Sequence, residues 1–411
     1  MSSPLHRQVG LLRREGGFRL LFFATLGSGI GSWMATIALT ADVKARTDSP
    51  WWVSALFIVT FLPSVVVGLV AGPLIDRLSR KRLVIMSDLV RLGVFAALPF
   101  VGSTTAIIGL AAVAGVANSF FRPAVLAGIP NLLSETELAS GTALLQATDW
   151  AAATIGPILG GILTGASSPH VVYWINAATF AFSALLLFRI PATLLQSEQA
   201  ITRGHWRDLG EGLAIFRQSA AMLTALCAFG FAQLAGGLIN VTEIFLVERA
   251  LHRGPFGFGL LWAASGLGLV IGSLASGSLV ERRALMAVYP LVFLPWAAGV
   301  LGAAIAPNIW VAATAMVVAG FGNGLAFPLT VLIVQRYTSD RLRGRAFTVI
   351  ISAQNALLGI AMVAAGALVG LAGPRWTYGI ASVLLVAGSL TALVMARGMS
   401  PSTLVARQQA A

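Results

Sequence analysis

Charge is what this chain has least of. Asp, Glu, Lys and Arg make up 10% of its 411 residues, against 57% apolar ones, and the mean hydropathy is +0.86. A soluble globular chain carries roughly 25% charged residues, so this surface is built for a solvent other than water. One cysteine, Cys227, lies inside an apolar run. That excludes a disulfide framework or a thiolate metal site and leaves it as a small buried hydrophobe. The four histidines, His6, His170, His205 and His252, are scattered in or near loops, so no metal cluster is expected. No G-x-x-x-x-G-K-[ST] run occurs and no polar stretch could house a nucleotide-binding domain. Nor is there a nucleophile with an acid–base partner. Neither enzyme chemistry nor a cofactor is expected.

Long apolar runs fill the place of the missing charge. Runs of about 20 residues cross the ~30 Å hydrocarbon core as helices, and the two-residue alternation of a membrane barrel is absent. Twelve spans are predicted. The first six are Phe18–Leu39, Trp52–Leu74, Leu83–Val101, Thr105–Ile129, Ala139–Leu163 and Val171–Leu187. The second six are Met222–Val247, Phe256–Leu279, Leu285–Ile305, Ile309–Val334, Ala346–Leu371 and Trp376–Met395. The basic opening segment leads into an apolar run too long for a cleavable signal, so it reads as a first span that stays. The predicted organisation is therefore an all-α membrane protein with a bundle over 1–188, a polar loop over 189–219 and a second bundle over 220–411.

The formal net charge of +12 raises nucleic-acid binding, but basic loops on one membrane face give the same total. With the N-terminus inside, twenty of the 27 Lys and Arg fall on cytoplasmic segments and five outside; Arg91 and Arg122 fall within spans. The positive-inside rule then places both termini in the cytoplasm. Membrane lipid is an expected partner and nucleic acid is not.

The chain also repeats itself. "GVANSFFRPA" from Gly115 matches "GFGNGLAFPL" from Gly320, and "GPLIDR" from Gly72 matches "GSLVER" from Gly277, at one shared offset of 205 positions. Gly72, Asp76 and Arg77 are thereby echoed by Gly277, Glu281 and Arg282. An offset of half the chain predicts two six-span bundles of the same orientation, an arrangement suited to rocking about a site near the midplane.

Twelve spans in parallel halves, with G-x-L-x-D-R-x-x-R-K/R between spans two and three, resemble the major facilitator superfamily over essentially the whole chain. "GPLIDRLSRKRLVIMSDLVR", "FFRPAVLAGIPNLL", "GPILGG" and "DRLRGRAF" are similar to its drug and siderophore exporter branch, which includes macrolide and enterobactin exporters. The resemblance implies that Gly72, Asp76, Arg77, Arg80 and Lys81 form a conformational gate, with Asp76 facing the start of span eleven near Ala346. Ser79 stands where the family usually has glycine. "GPILGG", with Gly156, Pro157, Gly160 and Gly161, resembles the antiporter motif in part, Ala152 replacing a usual glycine. The expected function is proton-coupled export of bulky, partly apolar small molecules by alternating access, with a monomer as the expected state. An importer, an uncoupled facilitator and a transport-inactive sensor or scaffold remain open beside it.

Acids within spans are few enough to be informative. Asp149 lies about ten residues into its span, near mid-membrane at ~1.5 Å per residue, where an acid costs about 2.5–3.5 kcal/mol. It is the leading proton-coupling candidate, with a salt bridge to Arg91 or Arg122 as the structural alternative. Glu243 and Asp42 are further candidates near the outer ends of their spans. Asp88 and Arg91, three apart, share a helix face and are expected to pair; Arg122 could draw an anionic cargo or pair with Asp88. Trp33, Phe120, Phe121, Gln233, Asn240 and Asn323 are candidates for the cargo cavity, because apolar walls with a few amides suit a large amphipathic molecule.

Overall fold

Without water in the bilayer core, every backbone N–H and C=O must be satisfied within its own segment. The computed structural model meets this demand with helices, and no strand occurs among the described residues. It describes residues 10–70, 79–134, 137–191, 216, 219–282, 285–338 and 340–397. We number the long helices α1 (Gly16–Thr47), α2 (Pro50–Val70), α3 (Arg80–Ala97), α4 (Thr104–Gly128), α5 (Leu138–Ala166) and α6 (Pro169–Phe188). The second series is α7 (Ala220–Phe245), α8 (Pro255–Arg282), α9, α10 (Ile309–Tyr337), α11 (Asp340–Ala372) and α12 (Pro374–Arg397). Helix α9 joins Leu285–Val288 to Phe293–Ile305 through a tight turn at Tyr289–Val292. Ten of these helices are long and apolar enough to cross a membrane among the described residues.

Two compact units emerge. Unit 1 comprises 1–48, 58–202 and the first turns of α8, Phe258–Ala263; unit 2 comprises 49–57, 203–257 and 264–411. Each has the same internal wiring. In unit 1, α1 packs on α5 and α6, and α3 packs on α4 and α6. In unit 2, α7 packs on α11 and α12, and α9 packs on α10 and α12. The duplication seen in the sequence is thus a duplication of helix contacts.

Small residues set the distances. A Cβ on Gly115 of α4 would meet the carbonyls of Val59 and Thr60 on α2 at 2.5 and 3.0 Å. In unit 2 a Cβ on Gly320 of α10 would collide with the carbonyl of Ser265 on α8, the residue 205 positions after Thr60. Close backbone approach of this kind is how membrane helices associate where lipid offers no hydrophobic drive. Gly160 of α5 plays the same part against α1, where an added Cβ would stand 2.6 Å from Met34 O. In unit 2 the equivalent helix pair has a close-packed glycine on the other helix: a Cβ on Gly237 of α7 would stand 2.5 Å from Leu358 O and 2.6 Å from Ala361 Cβ of α11.

Candidate functional site

Unit 1 encloses a cavity of about 280 Å³ walled by α1 to α6. Its α1 wall is a stripe of hydroxyls at helical spacing. Ser28, Ser32 and Thr36 each donate to the carbonyl four residues back, at 2.8, 2.7 and 3.0 Å. The back-bonds satisfy the hydroxyl protons and leave oxygen lone pairs as acceptors. Trp33, Phe61, Phe95, Phe121 and Phe180 supply aromatic surface. Trp33 also meets Trp262, one of the α8 residues that belong to unit 1, with ring centroids 5.1 Å apart and planes tilted by 51°.

Two arginines reach this cavity, and each has a carboxylate. Arg91 and Asp88 form the ion pair that their spacing implies, at 2.5 Å, with both side chains buried. Arg91 also donates to Asn118 Oδ1 at 3.0 Å, and its guanidinium lies over Phe121 and Phe180 at 4.6 and 4.3 Å from the ring centroids. Every face of this cation is occupied, so it is a fixed part of the wall. Arg122 differs. It pairs with Asp149 at 2.5 Å while the two side chains remain 51% and 35% exposed, and it reaches Gln146 Oε1 at 3.4 Å. Of the partners considered for Asp149 and Arg122, the structure selects each for the other; Asp88 is left to Arg91. The Arg122–Asp149 pair is half-exposed and open to competing ions, whereas the Asp88–Arg91 pair is buried and held on every side.

Unit 2 lacks this chemistry. At the offset of 205, Asp88, Arg91, Arg122 and Asp149 are replaced by Phe293, Trp296, Phe327 and Gln354. Trp296 is buried, packed on Gly322. At these four positions the second copy keeps only one polar side chain, that of Gln354.

The remaining candidates are distributed as follows. Phe120 lines a separate surface crevice between α3 and α4. Gln233, Asn240 and Asn323 are half-buried on α7 and α10. A Cβ added to Gly156 of the antiporter-like run would stand 2.5 Å from Trp33 Cβ, and Pro157 sits within a continuous α5. A Cβ added to Gly259 of unit 1 would stand 3.2 Å from Gly161 Cα. Asp42, read from the sequence as interfacial, is buried: it accepts from Tyr173 Oη at 2.9 Å and from Arg46 Nε at 2.6 Å. Lys81 donates to the carbonyls of Phe188 and Ile190 at 2.8 and 2.6 Å, tying the start of α3 to the electronegative end of α6. Arg80 is half-buried beside it. Gly72, Asp76 and Arg77 lie outside the described residues; Gly277, Glu281 and Arg282 fall on the last turns of α8, where the side chains of Glu281 and Arg282 are likewise outside them. The hydroxyl stripe of α1 escaped the sequence reading, although serine and threonine recurring every fourth residue in an apolar helix is a legible signal.

Comparison with known proteins agrees with this architecture. The Major Facilitator Superfamily profile matches residues 21–252 and 225–409. An uncharacterized MFS-type transporter of Bacillus subtilis, YfiS, is 28% identical over 93% of both chains. The enterobactin exporter EntS of Citrobacter koseri is 27% identical, covering 82% of this chain and 81% of its own. The multidrug efflux pump Tap of Mycobacterium bovis is 27% identical, covering 91% and 92%. Among solved structures, the nucleoside transporter NupG superposes with a TM-score of 0.74 at 16% identity, over 94% of this chain and all of its own. A bacterial homologue of the lysosomal transporter Spinster gives 0.72 at 12%, over 94% and 99%. With the same pattern of helix contacts in both units and a family profile spanning nearly its whole length, this chain belongs to the Major Facilitator Superfamily, a multi-pass membrane transporter.

Proposed function

We propose that this transporter exports bulky, partly apolar small molecules across the cytoplasmic membrane in exchange for protons, by alternating access and with both termini in the cytoplasm. The carrying observation is the half-exposed Arg122–Asp149 pair on the wall of a cavity otherwise made of aromatic rings and helix hydroxyls. Ionised Asp149, kept charged by Arg122, accepts hydrogen bonds from donor groups of the cargo on its open side, while the aromatic rings cover the apolar body of that molecule. A proton on Asp149 removes the charge that holds the cargo and releases it, and loss of the proton restores the cargo site. Proton and cargo therefore compete for one carboxylate, which is what exchange in opposite directions requires. The export direction is supported by similarity to EntS and Tap, an enterobactin exporter and a multidrug efflux pump.

Purified protein in liposomes tests the reading. An imposed proton gradient should drive dye or siderophore accumulation by the wild type, and Asp149→Asn should abolish the gradient-driven component while leaving protein yield unchanged. Flux that equilibrates without regard to the gradient would make the protein a facilitator. Uptake in the opposite sense would make it an importer, and absence of flux for every cargo would make it a scaffold.

A further inference from the structure

The duplication has placed one carboxyl near the end of the first helix of each unit, against a tyrosine of the sixth. In unit 1 this is Asp42 with Tyr173; in unit 2 it is Glu243 with Tyr378. The tyrosines are 205 positions apart and the acids 201. Their surroundings differ in charge. Asp42 has a cation one turn on: Arg46 donates to it at 2.6 Å and, through its other nitrogen, to Gly102 O at 2.8 Å. The position equivalent to Arg46, 201 further on, is Val247, which is fully buried.

Glu243 is 2% exposed, and no cation pairs with it among the described residues. Helices α10, α11 and α12 pack against α7. From α12 the neighbouring group is Tyr378, while Arg375 at the start of that helix donates to the carbonyls of Ala250, Ala304 and Ala306. Helix α11 carries its ionisable residues, Asp340, Arg341, Arg343 and Arg345, in its first six positions. Its contact with Gly237 begins only at Leu358, thirteen residues or about 20 Å of helix later. Those of α10, Arg336 and Tyr337, are at its last turn. Beyond Glu243 itself, Glu248 follows on the next turn and Arg249 lies over the ring of Phe245 at 4.7 Å. The two side chains lie close enough to interact, and apart from each other Glu243 Oε1 and Tyr378 Oη, both buried, have no hydrogen-bond partner.

A second observation concerns the backbone. Directly after Glu243 the helix widens into a π turn over Leu246–Ala250, closed by Leu251 N donating to Leu246 O at 3.0 Å. Such turns interrupt the regular ladder and recur at functional positions. The equivalent stretch of α1 stays α-helical to Thr47.

We propose that Glu243 is a second proton-carrying group of this transporter, housed in unit 2, with Tyr378 as the hydroxyl that steadies it and the π turn as the soft point through which water reaches it. A carboxyl without a cation in such a site is held as the neutral acid. When the turn opens, the proton passes to water, and Tyr378 donates its hydroxyl hydrogen to the carboxylate left behind. The inference rests on the reading that the protein moves protons, but its first test does not depend on transport.

Infrared spectra of the purified protein in lipid nanodiscs should contain a protonated-carboxyl stretch that Glu243→Gln removes, Tyr378→Phe shifts and Asp149→Asn leaves in place. Superimposable wild-type and Glu243→Gln spectra in this region across the pH range would overturn the proposal. In liposomes, Glu243→Gln should lower the number of protons exchanged per cargo. An unchanged ratio despite a confirmed Glu243 band would reduce the residue to packing and equally overturn it. Failure of proton-driven flux in the wild type, with the band present, would instead remove the exchange reading and leave a bound proton with no transport role.

Discussion

The sharpest test of the site compares one chemical change at two places: Asp88→Asn and Asp149→Asn. Each removes a carboxylate bonded to an arginine at 2.5 Å, yet the surroundings call for different outcomes. Asp88 is 0% exposed and Arg91 4%. Two unit charges about 4 Å apart attract by about 4 kcal/mol at an effective dielectric of about 20. Stripping one partner from a buried pair typically costs about 3–5 kcal/mol, because the surviving charge stays buried. The Asn118 bond and the two aromatic rings are present before and after, so they cannot offset the loss; they keep Arg91 where it is most exposed to it. About 4 kcal/mol is nearly three decades in the folding equilibrium. For the Arg122–Asp149 pair, water already screens both partners, and the stability cost should stay within about 1 kcal/mol. Thermal unfolding followed by fluorescence-detected size exclusion should show Asp88→Asn melting far below the wild type and Asp149→Asn close to it. The double variant Asp88→Asn, Arg91→Met should recover most of the loss, since a neutral side chain of similar length removes the stranded charge. If Asp88→Asn melts with the wild type, or the double variant is no better than the single one, the distinction between a fixed and a switchable pair is wrong.

Other outcomes follow from the packing. Gly160→Leu should destabilise by at least about 1–3 kcal/mol, because its Cβ would stand 2.6 Å from Met34 O and 2.8 Å from Met34 Cα; Gly359→Ala, with nothing within 4 Å, should be neutral or gain up to about 1 kcal/mol in the same melts. Tyr173→Phe should cost about 1.5–3 kcal/mol through the lost bond to the Asp42 carboxylate, visible as a lower melting temperature without a change in cargo selectivity. Lys81→Met should cost only about 0.3–1 kcal/mol, and yield or melting that collapses would show a larger role for the α3–α6 tie.

Sequence and structure agree where the information is local or repeated. The spacing of Asp88 and Arg91 set their pairing, because three residues along a helix is a contact distance. Gly115 and Gly320 betrayed the duplication because a backbone-to-backbone contact tolerates nothing larger. Arg122 and Asp149 could not be joined from spacing, since a pair between α4 and α5 depends on how two helices are rotated. Nor could Asp42 and Glu243 be matched as equivalents: the glycine-rich segments repeat at 205 positions and the acids at 201. The four extra positions of the second copy fall after Glu243, in the region that holds the π turn. Comparison at one fixed offset passes over such a shift.

The seam between the first and fifth helices of each unit carries close-packed glycines on either rod, Gly160 on α5 in one copy and Gly237 on α7 in the other, and this has a consequence for how this fold ages. What descends from the ancestral half is a gap between two rods, and either rod can yield the room. A lineage that loses the small residue on one side therefore has a ready repair on the facing side. Ancestral reconstructions of such carriers should show paired replacements across these seams before they show any change in the seams' width.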